Sequence, residues 1–263
     1  MSEYTAVRFE VADHVARVTL NRPDAANALN MEMAQELMRV AIRCEEDAAV
    51  RAVLVTGSGP MFCAGGDLKS FAAQGDALPG HLKELTTYLH AAVSRFVRME
   101  PPVVAAVNGV AAGAGMSLAC ACDLILAAES ARFTMAYTRA GLAPDGSSTY
   151  FLPRIVGPRR ALELALTNRA LSAQEAFEWG LLTRVVPDAA LAAEAEALAA
   201  ELAAGATRAL GAAKRLVQSC WSETLEGQME LESRAISDTG RTLDSREGIG
   251  AFLGKRAPRF QGR

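Results

Sequence analysis

Residues 101–123 read PPVVAAVNGVAAGAGMSLACACD, and this stretch decides the predicted architecture. Val103 to Val107 is a short, β-branched apolar run, which predicts a buried strand. Asn108-Gly109 ends the strand, and the nearly bare segment Gly113-Ala114-Gly115 precedes an apolar helix predicted from Met116 to Cys122. A strand, a glycine-rich turn and a helix N-terminus in this order direct unpaired backbone N–H groups towards one point. Such a point binds an anion, or a carbonyl oxygen that becomes negatively charged during a reaction.

A second glycine-rich turn follows another predicted strand. Val50 to Thr56 predicts the strand, and the turn is Met61 to Asp67, MFCAGGD. For either turn alone, close packing of a helix on a strand remains an equally good explanation. If the two strands are neighbours in one sheet, however, one N–H from each turn can converge on the same oxygen. The pair therefore predicts an oxyanion hole built from backbone donors, which is a more specific signal than either turn alone.

Composition restricts the class of protein. The chain has 263 residues, of which 51% are hydrophobic, and a formal net charge of −3. These values predict one large domain, or a domain with a helical appendage, and argue against a nucleic-acid partner or an anionic membrane surface. Five cysteines without paired zinc-type spacing predict reduced thiols and no metal site. With no transmembrane-length apolar run and no signal-peptide pattern, we expect a cytoplasmic protein.

The order of predicted elements indicates an α/β core followed by helices. Strand–turn–helix units continue to about Gly157, and helices dominate afterwards. The prediction divides the chain into a core at residues 1–200 and a helical oligomerisation region at 201–263. The polar segment Gln74 to Gly80, with its glycines and proline, predicts a mobile loop before a long amphipathic helix from Leu82 to Met99.

Several separated motifs resemble the crotonase, or enoyl-CoA hydratase/isomerase, superfamily over nearly the whole chain. They are Asn21-Arg22-Pro23, Asn27-Ala28-Leu29, Phe62 to Leu68, Pro102 to Gly109, Gly113 to Gly115, Cys122-Asp123, Leu152 to Gly157 and Ala170 to Val186. The resemblance implies a spiral of ββα units with a C-terminal helical trimerisation region, assembled as a trimer or a dimer of trimers. It also implies an acyl-coenzyme A thioester as substrate, with coenzyme A as part of the substrate and no separate cofactor. The backbone N–H groups of Ala64 and Ala114 would then bind the thioester oxygen.

The chain departs from the superfamily at the two glutamates of its hydratases. Ser117 and Tyr137 stand at those positions. Because a hydroxyl does not take up a proton near neutral pH as a carboxylate does, the usual activation of water by a glutamate pair is excluded. We expect Ser117 to serve helix packing. We expect Tyr137 to line the acyl pocket, where its hydroxyl is available to orient a polar substrate.

Asp145, in Ala143-Pro144-Asp145-Gly146, is the candidate catalytic carboxylate. An aspartate before glycine is ordinarily a turn residue or a helix N-cap. Superfamily isomerases that shift a double bond next to the thioester resemble this segment, and many place an acid/base aspartate here. The leading hypothesis is therefore an enoyl-CoA isomerase, of the Δ3-Δ2 or phenylacetate-pathway type, in which Asp145 moves the proton.

His90 is the second catalytic candidate, although a lone histidine on an amphipathic helix is more often structural. The 4-chlorobenzoyl-CoA dehalogenase branch uses a histidine from this helix and an aspartate in this loop, and His90 with Asp145 resembles that pair. Three alternatives stay open at this point: an enoyl-CoA hydratase, a dehalogenase-like hydrolase, and a non-catalytic acyl-CoA-binding homologue.

The resemblance also implies a set of substrate-binding residues. Arg22 and Lys69 are the candidate phosphate partners of coenzyme A, with ordinary solvated surface charges as the alternative. Phe252 and Lys255 would contribute from a neighbouring subunit. The complete candidate set is Arg22, Ala28, Gly65, Asp67, Leu68, Lys69, Gly113, Tyr137, Phe252 and Lys255.

Overall fold

The computed structural model describes residues 4–263 as an α/β fold. The strands are β1 (Val7–Ala12), β2 (Val15–Leu20), β3 (Ala52–Gly57), β4 (Val103–Val107), β5 (Val110–Ala112), β6 (Leu124–Ala128), β7 (Arg132–Thr134), β8 (Leu171–Ser172) and β9 (Arg184–Val186). The helices are α1 (Met31–Glu46), α2 (Leu68–Ala72), α3 (Leu78–Arg98), α4 (Ala114–Cys120), α5 (Ser148–Val156), α6 (Pro158–Thr167), α7 (Ala173–Glu178), α8 (Leu191–Ala203), α9 (Thr207–Ser219), α10 (Leu225–Thr239) and α11 (Leu243–Leu253). None of the helices between residues 4 and 263 combines the length and hydropathy that a membrane crossing requires.

Two sheets form the core. The larger has the strand order β1-β2-β3-β4-β6-β9, in which β1 and β2 form an antiparallel hairpin and the other pairs are parallel. Asp13 and His14 make the hairpin turn with positive φ angles of 51° and 64°. The smaller sheet has the order β5-β7-β8. Every residue of β4 is buried, as the continuous apolar run from Val103 to Val107 predicts for a central parallel strand.

The two strands that precede the glycine turns are neighbours, which confirms the condition set by the sequence. β3 pairs in parallel with β4, with Val53 opposite Val103. Beyond the strand ends, the backbone of Cys63 joins β5: the Cys63 N–H donates to Val110 O at 3.0 Å, and the Ala112 N–H donates to Cys63 O at 2.9 Å. The first glycine turn (Met61–Asp67) and the second (Gly113–Gly115) therefore lie side by side.

The segment Gln74 to Gly80 differs from the sequence prediction of a loop. Residues 75–77 form a 3₁₀ turn, and α3 begins at Leu78. Pro79 lies in the first turn of α3, where its missing N–H has no intrahelical acceptor to lose and its fixed φ suits a helix. The sequence predicted that Pro79 belongs to the loop before α3, whereas it lies within the first turn of that helix.

The C-terminal helices differ in how closely they join the core. α8 packs against β3 and β4 and runs without interruption across the predicted boundary at residue 200. α9 is bound to the core through Lys214, whose Nζ donates to Asp123 Oδ2 and to Phe96 O, each at 2.8 Å. Burial raises the pKa of Asp123 and lowers that of Lys214, and the direct ion pair counters both shifts. By contrast, α10 buries none of its residues, so the helical region that stands apart from the core begins after α9.

The apolar residues left exposed by α10 and α11 predict self-association. Ile236 on α10 is 75% exposed, and Phe252 on α11 is 83% exposed. Sedimentation at micromolar concentration is expected to show a trimer or a hexamer. An Ile236→Glu/Phe252→Glu variant, which places a charge on each helix, is expected to shift the distribution to smaller species because charges are costly to bury. A monomeric wild type would refute this prediction.

Candidate active site

The second glycine turn presents the N-terminus of α4. Gly113 precedes the helix with φ 49° and ψ −122°, a conformation that glycine adopts without a Cβ penalty. Ala114 is the first helical residue, so its N–H has no acceptor within the helix, and no other described residue accepts from it. Gly115 lies against Cys63, where an added Cβ would come within 2.5 Å of Cys63 O. Small residues therefore keep α4 close to the first turn and leave the Ala114 N–H available.

The donor on the first glycine turn is not the one that the sequence predicted. The Ala64 N–H donates to Ala26 O at 3.0 Å and is therefore already engaged. On either side of Gly66, the Leu29 N–H donates to Gly65 O at 2.7 Å and the Asp67 N–H to Leu29 O at 2.9 Å. Since successive N–H groups of an extended segment point to opposite sides, the Gly66 N–H faces away from Leu29. It has no acceptor among the described residues.

The two turns meet backbone to backbone through their glycines. Gly65 has φ +100°, and a Cβ placed on it would lie 3.1 Å from Ala112 O and 3.5 Å from the Gly113 Cα. These glycines thus allow the close approach of the turns and need not touch a substrate. The unengaged donors at the junction include the N–H group of Gly66 on the first turn and that of Ala114 at the start of α4.

A chain of side-chain hydrogen bonds connects Asp145 to the second turn. Asp145 Oδ1 accepts from the Tyr137 hydroxyl at 2.6 Å, and that hydroxyl lies 2.8 Å from Ser117 Oγ. Ser117 is fully buried, and because the Tyr137 proton is donated to Asp145, the single Ser117 hydroxyl proton is the one that forms the bond to the Tyr137 oxygen, although Gly113 O also lies 3.1 Å from Ser117 Oγ. Asp145, Tyr137 and Ser117 therefore form one hydrogen-bonded cluster. Ser117 takes part in this cluster in addition to packing within its helix.

The charge state of this cluster follows from burial. Burial raises the pKa of Tyr137 well above its usual value, and the neighbouring Asp145 carboxylate and its hydrogen bond raise it further. The Tyr137 hydroxyl consequently stays protonated at neutral pH and donates to Asp145. It does not act as a base.

Asp145 lies in a loop that does not use its side chain as a helix cap. Ser147 precedes α5, and no side chain caps that helix. The backbone oxygen of Asp145 accepts from Ser148 Oγ at 2.9 Å, while its carboxylate turns towards Tyr137. Asp145 Oδ2 has no donor among the described residues. The ordinary N-cap explanation for this aspartate is therefore wrong, and one carboxylate oxygen remains free.

His90 supports the same loop. Its Nε2 accepts a hydrogen bond from the Gly146 N–H at 3.1 Å, which places the ring proton on Nδ1. Gly146 has φ +60°, and an added Cβ would lie 2.9 Å from the Ser117 Cβ. Because the Nε2 lone pair is occupied, His90 holds the loop in place and is not free to activate water through that atom.

A cleft of about 1070 Å³ begins at His90 and Asp145. It lies between α3, α5, α9 and α10, and its apolar lining includes Val93, Phe151 and Leu216. The two glycine turns are not part of its lining. The cleft therefore includes Asp145 at one end and does not reach the two glycine turns.

The candidate coenzyme A residues fall into two groups. Arg22 is not a free cation, because its Nη2 pairs with Asp67 Oδ2 at 2.9 Å and its Nη1 donates to Ala28 O at 2.5 Å. Burial alone would raise the pKa of Asp67, but the Ser70 N–H and the Arg22 guanidinium outweigh burial and hold that pKa below its usual value. Arg22 thus joins the segments containing Ala28 and Asp67, and its role as a phosphate partner stays a prediction.

The remaining candidates lie on the surface. Leu68 is 56% exposed at the start of α2, and Lys69 beside it is also exposed. Phe252 and Lys255 are exposed at the end of α11. Their contribution to binding, including contact from a neighbouring subunit, stays a prediction.

Comparison with known proteins agrees with this architecture. Residues 10–263 match the enoyl-CoA hydratase/isomerase family model. The chain is 42% identical over 251 residues to a 1,2-epoxyphenylacetyl-CoA isomerase of Escherichia coli K12, covering 95% of both chains. It is 43% identical over 260 residues, 99% of both chains, to a Rhodobacter capsulatus protein named "Probable enoyl-CoA hydratase". The crystal structure of an enoyl-CoA hydratase from Polaromonas superposes with a TM-score of 0.92 at 34% identity, covering 97% of this chain and 99% of the other. The chain therefore belongs to the enoyl-CoA hydratase/isomerase family, within the crotonase superfamily.

Proposed function

We propose that this protein is an acyl-CoA isomerase in which Asp145 transfers a proton while the N–H groups of Gly66 and Ala114 stabilise a thioester enolate. The observation that carries the proposal is the environment of Asp145. One of its carboxylate oxygens is fixed by Tyr137, and the other has no donor among the described residues. Hydroxyls stand where family hydratases carry their glutamates, so Asp145 is the group in this cluster that can accept a proton.

The proposed reaction is a 1,3-proton shift in a 3-enoyl thioester. Asp145 removes a proton from C2, and the electron pair of that C–H bond enters the enolate whose negative charge rests on the thioester oxygen. The two backbone N–H groups stabilise this charge more strongly than the neutral carbonyl, which lowers the barrier. Asp145 then returns the proton to C4, and the double bond moves from C3–C4 to C2–C3. One carboxylate suffices because it both removes a proton from C2 and delivers a proton to C4.

The acyl group is proposed from the cleft and from the relatives. A cleft of about 1070 Å³ beyond Asp145 offers far more room than a four-carbon acyl chain fills. The relative named 1,2-epoxyphenylacetyl-CoA isomerase supports an acyl group derived from an aromatic acid. A straight-chain 3-enoyl group of fatty-acid breakdown uses the same proton shift and is the second substrate class within this proposal.

Hydration is the alternative that one observation favours, namely the similarity to the R. capsulatus relative. A hydratase must activate water, and the site offers few means of doing so. His90 Nε2 is occupied by the Gly146 N–H, and Tyr137 stays protonated. A dehalogenase-like hydrolysis meets the same obstacle, since it also needs His90 to activate water. A non-catalytic binding protein would not need two unengaged N–H groups beside a free carboxylate oxygen.

The test of the proposal is a wild-type screen of 3-enoyl-, 2-enoyl- and aromatic-acid-derived CoA thioesters, with products resolved by mass and by NMR. Isomerisation leaves the mass unchanged and moves the double bond, whereas hydration adds the mass of water. We expect turnover of 3-enoyl or ring-derived thioesters without added mass. Hydration of 2-enoyl thioesters as the dominant activity would contradict the proposal.

Amide hydrogen exchange separates the revised donor pair from the pair predicted by sequence. Without ligand, the Ala64 N–H is expected to exchange slowly because it is bonded to Ala26 O, while the Gly66 and Ala114 N–H groups exchange faster. An anionic thioester-enolate mimic such as acetoacetyl-CoA is expected to slow exchange at Gly66 and Ala114. Ligand-induced protection at Ala64, with none at Gly66, would restore the original assignment.

A further inference from the structure

We propose that Tyr137 is a positioning residue for Asp145, and that Ser117 holds the Tyr137 hydroxyl in place. This inference rests on the proposed function, in which Asp145 moves the proton. It assigns a role in the reaction to two hydroxyls that occupy the glutamate positions of family hydratases. Neither hydroxyl takes up the proton. Together they determine the position of Asp145, which takes up the proton.

The first step of the argument concerns the freedom of Asp145. Its loop contains two consecutive left-handed residues, Gly146 at φ +60° and Ser147 at φ +71°, and lies outside regular secondary structure. An aspartate there can rotate about its side-chain bonds unless a partner fixes it. The Tyr137 hydroxyl supplies that partner at 2.6 Å, in the short range typical of hydrogen bonds to an ionised acceptor. With Oδ1 fixed, the orientation of Oδ2 is fixed as well.

The second step concerns what fixes Tyr137. Ser117 Oγ lies 2.8 Å from its hydroxyl, and Ser117 is fully buried on α4. Ala114, which offers one proposed oxyanion donor, is three residues earlier on the same helix and thus on the same face. The Tyr137 Cζ also lies 3.9 Å from a Cβ built on Gly113. The positions of the Asp145 carboxylate and of the Ala114 N–H are consequently both determined by α4.

The third step is electrostatic. A hydrogen bond donated to an ionised carboxylate favours the ionised form, which is the form that accepts the proton. The Tyr137 donor therefore stabilises the carboxylate in the form that removes the proton from C2, in addition to orienting it. The other titratable groups around Asp145 are His90, and, across the cleft, Arg98, Arg208, Arg215, Glu223 and Asp238, with Glu100 beside them. None of them makes a direct hydrogen bond or ion pair with the Asp145 carboxylate among the described residues.

The test is Tyr137→Phe, which removes the hydroxyl and keeps the ring. We expect kcat to fall about tenfold with KM nearly unchanged, as the loss of one charge-assisted hydrogen bond to the base implies. Site-specific 3,5-difluorotyrosine at position 137 preserves the shape and strengthens the donor. Because the donor is kept, it is expected to hold kcat within about threefold of the wild type, which keeps the test valid even if Tyr137→Phe is poorly folded.

Ser117→Ala tests the second link. Alone, it is expected to lower kcat about threefold, because Tyr137 loses one of its two polar partners. In the Tyr137→Phe background it is expected to have no further effect on kcat, since the hydroxyl that it holds is gone. Additive losses would overturn the role of Ser117.

Two outcomes would overturn the inference while leaving the proposed function intact. One is an equal loss of kcat in Tyr137→Phe and in the difluorotyrosine variant, and the other is a lower melting temperature without a change in kcat, which a merely structural tyrosine would give. Failure of the proposed function has a different signature, namely full activity of Asp145→Asn.

Discussion

Replacing Asp145 by Asn is expected to lower the isomerisation rate by about a hundred- to ten-thousand-fold. The amide keeps the shape of the side chain, and its oxygen can still accept from the Tyr137 hydroxyl at the position of Oδ1. What it loses is the ability to take up the proton from C2. The loss is therefore expected in kcat, with KM nearly unchanged, and is measured by steady-state kinetics on a 3-enoyl-CoA.

The matched control is His90→Gln. The glutamine oxygen can accept from the Gly146 N–H as His90 Nε2 does, and no water needs activation in an isomerase. Its activity is expected to stay within about threefold of the wild type. Full activity in Asp145→Asn would defeat the proposed mechanism. Matched losses in both variants, with a hydroxyl on the product, would favour the hydratase.

Ala114→Pro is the second large-effect variant, expected to lower kcat by about a hundred-fold or more because it deletes one oxyanion donor. Ala114 suits this experiment because it is the first residue of α4, a position where proline is well tolerated. Gly66 suits it poorly, since an added Cβ would come within 2.6 Å of the Phe71 ring. The experiment compares kcat for folded variants of equal oligomeric state.

The control for this variant is Ala114→Gly, which removes the side chain and keeps the N–H. It is expected to retain activity within a few-fold, because only a methyl group is lost beside the donor. Unchanged turnover in a folded Ala114→Pro protein would remove Ala114 from the oxyanion hole. Equal losses in the proline and glycine variants would show that packing, not the donor, is responsible.

Local patterns in the sequence were sufficient to predict the strands that precede the two glycine turns. The apolar run Val103 to Val107 predicted a buried strand, and the adjacency of β3 and β4, which the sequence left as a condition, is shown by their parallel pairing. Three short strands were not predicted, because β5, β8 and β9 contain only two or three residues each and show no periodicity. They are defined by backbone pairing instead: β9 pairs with the longer β6, and β5 and β8 flank the three-residue β7.

Backbone partners explain why the proposed donor pair replaces Ala64 by Gly66. Ala64 and Gly66 are two residues apart on one glycine-rich turn, and composition does not show which N–H is already bonded. The contact between Ala64 and Ala26 joins segments 38 residues apart, which local sequence does not encode.

Side-chain partners explain the other revisions. Arg22 was expected to bind phosphate, and the structure shows its guanidinium paired with the Asp67 carboxylate and donating to the Ala28 carbonyl. Ser117 and Tyr137 were considered as replacements for glutamates one at a time. Only the fold shows that their hydroxyls meet each other and Asp145, because the three residues come from α4, the segment after β7 and the loop before α5.

Proton transfer by a single base at the enolate is the central claim, and deuterium incorporation during turnover of a 3-enoyl-CoA in deuterated water tests it most directly. The account predicts a 2-enoyl product that carries deuterium at the α or γ carbon when the base exchanges with solvent, has no added hydroxyl, and forms at a rate that collapses in Asp145→Asn. A product that carries a hydroxyl at C3, formed at the wild-type rate by Asp145→Asn, would contradict it.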